Sequence, residues 1–310
     1  MRSTEKQMQA ARYHRYGGPE VLVVEDAPEP HAEANTVRIE VGAASINPID
    51  YLLRSGRLSD VVPLDLPAIP GRDAAGVVDE VGPGVVGTQV GDVVFGVGGI
   101  SDTTAQYAVL TAWSSAPSDW SIEHAAAAGL ASSTASAVIE ALEVFGSLEG
   151  KTVLIDGASG AVGTALSVLA RDSGAEVIGT GSPRNHDYLI GLGVRPTTYG
   201  PGLAERVALL APGGVDAAVH AAPSSLPADL ITLVGDAARV VTVLDAEGAE
   251  RLGARKIDAR NESQLLERAS ELGRRGIYLP RVDHILPFAQ IADAHAVAER
   301  GSGKVVVTMR

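Results

Sequence analysis

The amino-acid sequence predicts an α/β protein that combines a doubly wound parallel sheet with a β-rich part. Up to about residue 116, short β-rich runs are separated by Gly and Pro, which is typical of a small barrel or sandwich. From residue 151 strands and helices alternate, which indicates βαβ units on a parallel sheet. The end of the chain leaves this alternation, with two helices and a closing strand.

Each predicted element follows from a local pattern. Residues 37–44 alternate between apolar and polar side chains, as a half-buried strand does, and Ser121 offers an N-cap to an Ala-rich helix over residues 125–142. Further strands are predicted at residues 76–81, 92–95, 107–110, 152–156, 176–180, 217–221, 240–244 and 301–310. Further helices are predicted at residues 161–173, 186–192, 203–210, 263–274 and 291–299.

Length and composition limit the classes of protein to consider. A chain of 310 residues suggests two domains at roughly 100–200 residues each. The net charge of −13 argues against nucleic-acid binding, which needs Lys and Arg to displace phosphate counterions. No apolar run reaches about 18 residues and no apolar leader is visible, so we expect no membrane span and a cytoplasmic protein. The absence of Cys excludes disulfides and Cys-based zinc sites.

A glycine-rich turn after a predicted strand is the strongest motif. The segment 152–163 (TVLIDGASGAVG) passes from an apolar strand through three glycines into a helix. In a dinucleotide site such glycines allow a tight turn, a close approach to the pyrophosphate and helix–strand packing. The alternative is an ordinary glycine-rich turn. The predicted pyrophosphate contacts are Gly157, Ser159, Gly160, Ala161, Val162 and Gly163.

The end of the next strand predicts NADP in preference to NAD. An NAD site usually carries Asp or Glu there to bind the ribose 2′-hydroxyl. Residues 179–185 read GTGSPRN and contain no acid. Ser182 and Arg184 are suited to bind a 2′-phosphate through charge-assisted hydrogen bonds, and the alternative for Arg184 is a solvated surface charge.

Four further segments complete a resemblance to a known family. They are residues 45–50 (SINPID), 67–78 (PAIPGRDAAGVV), 90–96 (VGDVVFG) and 301–307 (GSGKVVV). With the glycine turn, they resemble the zinc-independent, zeta-crystallin-like quinone oxidoreductases of the medium-chain dehydrogenase/reductase superfamily. The resemblance implies a Rossmann domain, residues 117–262, inserted into a GroES-like domain, residues 1–116 with 263–310. It also implies NADPH as cofactor, a small-molecule quinone or enone as substrate, and a homodimer.

The resemblance also bears on metal content. Asn47 stands where zinc relatives place Cys, and Arg72-Asp73 replaces their His-Glu pair. We therefore expect no metal site. Without a Lewis acid to polarise a carbonyl, alcohol oxidation is disfavoured, and hydride addition to a quinone or an activated double bond fits better.

Individual site residues follow from the same resemblance, and each has an ordinary alternative. Asn47 and Thr134 match residues at the nicotinamide; the alternatives are an Asx turn before Pro48 and a helix-interior Thr. Tyr199 and Arg184 match residues at the 2′-phosphate, with plain packing the alternative for Tyr199. His220 and Leu244 end successive predicted strands, where cofactor contacts collect, and His220 is otherwise an ordinary strand-end histidine.

The proton donor is where the sequence departs from the enoyl-reductase relatives. Their Tyr just after the Ser-Gly turn is replaced here by Leu58. Tyr51 is the nearest ionisable substitute and our candidate acid, the alternative being an aromatic residue of the pocket wall. The sequence thus predicts an NADPH-dependent reductase of quinones or enones. An enoyl reductase of a biosynthetic, polyketide-like pathway and a non-catalytic NADPH-binding protein remain alternatives.

Overall fold

A computed structural model describes residues 6–309 of the chain. The contacts divide the chain into two compact units, Met1–Leu130 with Asn261–Arg310, and Ala131–Arg260. The second unit is thus an insertion in the sequence of the first. Its limits lie at residues 130/131 and 260/261, whereas the sequence-based domain limits were placed at 116/117 and 262/263.

The elements are as follows, in chain order. The strands are β1 (Gln7–Arg12), β2 (Val23–Pro28), β3 (Val37–Ile46), β4 (Asp73–Val81), β5 (Val93–Val97), β6 (Tyr107–Leu110), β7 (Ala112–Ser115), β8 (Thr152–Asp156), β9 (Glu176–Thr180), β10 (Arg195–Thr197), β11 (Ala217–His220), β12 (Val240–Thr242), β13 (Arg255–Lys256), β14 (His284–Pro287) and β15 (Val305–Thr308). The helices are α1 (Pro48–Arg54), α2 (Ile122–Glu143), α3 (Ala161–Asp172), α4 (His186–Gly191), α5 (Leu203–Leu210), α6 (Pro227–Val234), α7 (Ala246–Leu252), α8 (Ser263–Arg274) and α9 (Ile291–Glu299).

The first unit is built on a mixed sheet with strand order β14-β15-β3-β4-β5-β7, and β6 also pairs with β3. Strand β3 lies at its centre because its alternating Val37, Ile39 and Val41 side chains are all buried in one apolar core. The last strand, β15, runs antiparallel to β3, with Val305 opposite Ile46. This register brings the end of the chain back to the residues that precede α1.

The second unit is a parallel six-stranded sheet in the order β10-β9-β8-β11-β12-β13. Numbered within the unit, that order is 3-2-1-4-5-6, the doubly wound arrangement of a Rossmann domain. The strand order reverses between β8 and β11, and ligands of such sheets bind beyond the strand ends at this point. The predicted Rossmann sheet, inserted in the sequence of a β-rich unit, is confirmed.

Several predicted elements end elsewhere in the structure. The strand predicted over residues 240–244 stops at Thr242, because the Thr242 hydroxyl accepts hydrogen bonds from the amides of Leu244 and Asp245 and turns the chain. Of the strand predicted over residues 301–310, the described residues form a strand at Val305–Thr308, and residue 310 lies outside the described residues. The Ala-rich helix begins at Ile122, and Ser121 Oγ accepts from the His124 amide as an N-cap does.

Helix α2 is long and apolar enough to cross a membrane by length and composition alone. However, 89% of its most apolar stretch is buried inside the protein, as is usual for a core helix. The apolar stretch of α2 consists largely of alanines, of which Ala125, Ala126 and Ala128 are almost fully buried.

Candidate functional site

The glycine turn between β8 and α3 has the backbone shape that a dinucleotide site requires. Gly157 adopts φ +84°, a left-handed conformation that favours glycine. A Cβ on Gly163 would lie 2.1 Å from the carbonyl oxygen of Gly157, so only glycine lets α3 pack this close to the turn. Gly160 is the N-cap of α3 and provides no side chain to bond the first-turn amides. The first-turn N–H groups, which include those of Ala161 and Val162, are the kind of helix end that could hold the pyrophosphate of a dinucleotide.

A buried hydrogen-bond network that the sequence analysis missed holds this turn. Asp156, the last residue of β8, is fully buried and accepts a 2.6 Å hydrogen bond from Thr180 Oγ1. The same Thr180 oxygen accepts from the amide of Gly157. Ser224 Oγ donates to both Asp156 carboxylate oxygens at 3.1 Å. The signal was present in the sequence, since Asp156 and Thr180 are polar residues that end adjacent apolar strands.

The residues predicted at the 2′-phosphate lie after β9. Asn185 Nδ2 donates to Ser159 Oγ at 3.1 Å and to Ser182 Oγ at 3.3 Å, so the structure links the glycine turn to Ser182. Arg184 is exposed, and within residues 6–309 no hydrogen bond or ion pair engages its guanidinium. Tyr199 is 48% exposed. The loop that carries Tyr199 is held by Arg206, which donates to the carbonyls of residues 198–201.

His220 and Leu244 follow the ends of β11 and β12. His220 is buried, and its Nε2 lies 3.0 Å from the Ser225 carbonyl oxygen while Nδ1 lies 2.9 Å from Thr242 Oγ1. A carbonyl only accepts, so Nε2 carries the proton and Nδ1 accepts from Thr242. The His220 side chain therefore joins the segment after β11 to the end of β12 through hydrogen bonds to both. Leu244 is 44% exposed, and Thr134 is buried on α2.

In the first unit, Asn47 belongs to a buried polar network before α1. Its Nδ2 donates to Asp73 Oδ1 at 2.8 Å, and its Oδ1 accepts from Lys304 Nζ at 2.7 Å. Asp73 also accepts from Ser45 Oγ at 2.5 Å and from the Leu130 amide at 2.8 Å. Asn47 is predicted from the sequence, whereas Lys304, Ser45 and the role of Asp73 in this network are not.

Asp50 and Tyr51 lie in the first turn of α1. Asp50 Oδ2 accepts from the Asn47 amide at 2.7 Å, and burial raises the pKa of its carboxyl to about 7. Tyr51 is half-buried against the apolar core of the unit. Burial, and then the negative charges of Glu299 and Asp50, raise the pKa of its hydroxyl. Tyr51 thus stays protonated to high pH, as a proton donor must.

His295 on α9 makes the stability of the protein depend on pH. The ring is 1% exposed and neither nitrogen has a partner among residues 6–309. Burial, with the charge of Arg54, lowers its pKa to about 3, so the folded ring stays neutral where the unfolded ring, with a pKa of about 6.5, binds a proton. Between about pH 6.5 and about pH 3 the unfolded state binds more protons than the folded state. The free energy of unfolding therefore decreases as the pH falls through this range.

His295→Phe removes that dependence. We expect the variant to gain on the order of 1–2 kcal/mol relative to the wild type when the pH falls from about 7 to about 5. Asp50 acts in the opposite direction, because its raised pKa lets the folded state keep a proton that the unfolded state loses as the pH rises. That contribution is common to both proteins and cancels in the comparison. Urea unfolding at both pH values measures the difference, and an equal difference at the two would contradict the account.

No group of three or more His, Asp or Glu residues suited to a metal ion occurs in the part of the chain that the structure describes. At the positions where zinc relatives carry ligands, Asn47 and Asp73 bond to each other. Arg72, beside Asp73, donates through Nη2 to Asn261 Oδ1 at 3.0 Å.

Comparison with known proteins relates the chain to quinone oxidoreductases. A family model of the alcohol dehydrogenase GroES-like domain matches residues 33–117. The quinone oxidoreductase of Sus scrofa is 38% identical over 190 residues, which cover 58% of this chain and 54% of the pig protein. The chain thus spans about half the length of the mammalian relatives it matches.

Two further relatives are matched more completely. The chloroplast envelope quinone oxidoreductase homolog of Arabidopsis thaliana is 32% identical over 229 residues, covering 70% of this chain and 69% of that protein. The solved structure of the quinone oxidoreductase from Coxiella burnetii is 27% identical, covers 98% of this chain and 100% of its own, and superposes with a TM-score of 0.82.

A GroES-like unit interrupted by a doubly wound dinucleotide-binding sheet defines the class of medium-chain dehydrogenases/reductases. Both parts are present here, with the glycine turn in the expected place. Within that class, the chain belongs to the zeta-crystallin-like quinone oxidoreductase family.

Proposed function

We propose that this protein is an NADPH-dependent oxidoreductase that reduces quinones or α,β-unsaturated carbonyl compounds by hydride transfer, without zinc. One observation carries the proposal. The turn at Gly157 and the exposed N-terminus of α3 are followed, after the next strand, by Ser182 and an unpaired Arg184 where an NAD site has an acid. The family membership supports the quinone, and the Cys-free sequence supports the absence of zinc.

In the proposed mechanism, bound NADPH supplies the hydride, and the protein binds and orients both reactants. The amides of the glycine turn bind the pyrophosphate. Asp156 and Thr180 hold that turn in one shape through buried hydrogen bonds, which limits the reorganisation that binding requires. Tyr51 donates the proton that an enone needs at the carbon next to the one that accepts the hydride. A quinone needs no such donor, because its oxygens exchange protons readily with water.

Turnover with a panel of acceptors tests this proposal. The purified protein is mixed with NADPH and a simple benzoquinone, a short-chain enone or an enoyl thioester, and loss of the nicotinamide absorbance is followed. Oxidation with the quinone or the enone supports the proposal, and a clear preference for the enoyl thioester would favour a biosynthetic enoyl reductase. NADPH binding without oxidation by any acceptor would overturn the enzymatic proposal and indicate a binding protein.

Cofactor preference tests the role of Arg184. We expect NADPH to bind more tightly than NADH, because a guanidinium pairs with the 2′-phosphate that NADH lacks. Arg184→Ala should remove most of that preference, a loss of about 1.5–3 kcal/mol, which corresponds to roughly 10–150-fold, while the affinity for NADH changes little. Titration of protein fluorescence measures all four affinities. Equal affinities of the wild type for the two cofactors would contradict the assignment.

Metal analysis tests the zinc-independent part of the proposal. We expect no stoichiometric zinc in the purified protein and no loss of turnover after treatment with a chelator. The reason is that the side chain of Asn47 donates to Asp73 and accepts from Lys304, so these side chains are already hydrogen-bonded and are not available as metal ligands. Elemental analysis that finds about one zinc per chain would refute this part.

The remaining expectations belong to the same proposal. Tyr199 lies in the exposed loop held by Arg206, which suits a contact with the 2′-phosphate. Thr134 is proposed at the nicotinamide on the resemblance, as are His220 and Leu244 along the cofactor. A homodimer in the cytoplasm is the assembly and location that we propose from the family.

A further inference from the structure

The backbone of Lys304 is fixed where it enters the last strand. Its amide donates to Asp283 Oδ2 at 2.8 Å, and its carbonyl accepts from the amides of Asp283 and His284 at 2.9 and 3.1 Å. Because Val305 lies opposite Ile46 in the antiparallel pairing, Lys304 lies across from Asn47. The sheet register therefore places a lysine beside Asn47, the N-cap residue of α1.

The partners of Asn47 determine which way its amide points. Its oxygen receives the Lys304 ammonium at 2.7 Å, and its nitrogen donates to the Asp73 carboxylate at 2.8 Å. The reverse orientation would set amide hydrogens against the ammonium and the amide oxygen against the carboxylate. Both contacts would then be repulsive in a buried site, where Asn47 and Lys304 are each 6% exposed.

The network also balances charge. Asp73 and Asp50 are fully or almost fully buried carboxyl groups that flank Asn47. Lys304 is the buried ammonium that faces both, and their negative charges oppose the lowering of its pKa by burial. Arg72 adds a further positive charge near Asp50. Removal of the ammonium is costly, because it leaves the buried carboxyl groups without the positive charge that faces both.

We propose that Lys304 is a positioning residue for the reaction, and that it fixes the side-chain amide of Asn47 and the start of helix α1. Asn47 precedes Pro48, and its backbone N–H donates to the Asp50 carboxylate. Asp50 lies in the first turn of α1, which also carries Tyr51. A shift of Asn47 therefore shifts the segment that holds both predicted unit-1 site residues. This inference rests on the proposed function, since it concerns the same reaction.

Lys304→Met tests the inference, because Met keeps length and volume and removes the charged donor. We expect kcat for enone reduction to fall by ~10²-fold, the usual result of a displacement of about 1 Å in a reacting group. The dissociation constant of NADPH should change much less than kcat, because the residues proposed at the pyrophosphate and the 2′-phosphate belong to the second unit and only the proposed contact of Asn47 with the nicotinamide is disturbed. Lys304→Arg, which retains a cationic donor, should recover part of kcat. Lys6→Met, at an exposed lysine of the first unit, is the matched control and should resemble the wild type.

Two readouts separate positioning from folding and from the proposed function. Thermal unfolding gives the folded fraction, and a fall in kcat no larger than the fall in that fraction overturns the inference. Unchanged kcat in Lys304→Met also overturns it. Hydrogen exchange of the Asn47 side-chain amide, followed by NMR, needs no turnover; we expect faster exchange in Lys304→Met, and equal exchange contradicts the inference. A wild type inactive with every acceptor refutes the proposed function alone, because the exchange experiment still reports on Lys304.

Discussion

Tyr51→Phe lowers enone reduction on the order of 10²–10⁴-fold if Tyr51 is the general acid, while quinone reduction falls much less. The hydroxyl of Tyr51 engages no hydrogen bond within residues 6–309, so its proton is free for a ligand. Its raised pKa keeps that proton in place at neutral pH. Since Phe preserves the packing of the ring against the apolar core, the loss reports on the hydroxyl. Steady-state kinetics with one enone and one quinone measure the two effects.

A matched control and a contrary outcome complete that experiment. Tyr107→Phe changes a partly buried tyrosine of the same unit, whose ring packs under Arg38 and keeps that contact as Phe. It should leave both activities unchanged. Unchanged enone turnover in Tyr51→Phe would assign protonation to solvent and leave Tyr51 as a residue of the pocket wall.

Gly163→Ala is expected to disrupt the cofactor site. The new Cβ would meet the Gly157 carbonyl oxygen at 2.1 Å and Ala158 Cα at 2.6 Å, and both are backbone atoms that cannot rotate away. Either α3 moves outward or the turn opens, at a cost of about 1–3 kcal/mol to stability. The first-turn amides then lose their alignment with the pyrophosphate. We expect NADPH affinity to fall by at least on the order of 10²-fold, since two or more hydrogen bonds to a charged group are weakened.

The control for this change is Gly191→Ala in α4. Beyond its chain neighbours and the backbone of its own helix, no atom of the described residues lies within 4 Å of the Cβ that would be added there. Ala also has the higher helix propensity, so the variant should be as stable as the wild type or slightly more so. Fluorescence titration with NADPH and thermal unfolding give both quantities for both variants. A Gly163→Ala protein with wild-type affinity would show that α3 need not pack against the turn.

The dinucleotide-binding part was predictable from sequence because its signals are local. Strand β8, strand β9 and helix α5 have the predicted limits. The turn between β8 and α3 holds Gly157 and Gly160, and Gly163 lies in the first turn of α3. The short strands β10 and β13 were missed, since three and two residues carry no periodic pattern. Helix α1 was missed because Asn47-Pro48 also begins turns.

The polar network of the first unit was beyond sequence reasoning for a different reason. Lys304 and Asn47 are 257 residues apart and meet only because β15 pairs with β3 in one register. A shift by one residue would turn the Lys304 side chain to the other face of the sheet. Asp73 likewise lies outside the strand predicted over residues 76–81, and its partner Ser45 is 28 residues away, on β3, which pairs with β4. Register over such separations is a property of the packed core, which no local motif encodes.

The most direct test of the central claim is hydride transfer from the nicotinamide. NADPH carrying deuterium at the transferable position of the ring is compared with unlabelled NADPH in a single turnover of the wild type with its best quinone or enone acceptor. The account predicts one equivalent of NADPH oxidised per acceptor reduced, and a primary isotope effect that slows the step. Acceptor reduction without NADPH oxidation, or no reduction of any quinone or enone by the NADPH-bound protein, would contradict it.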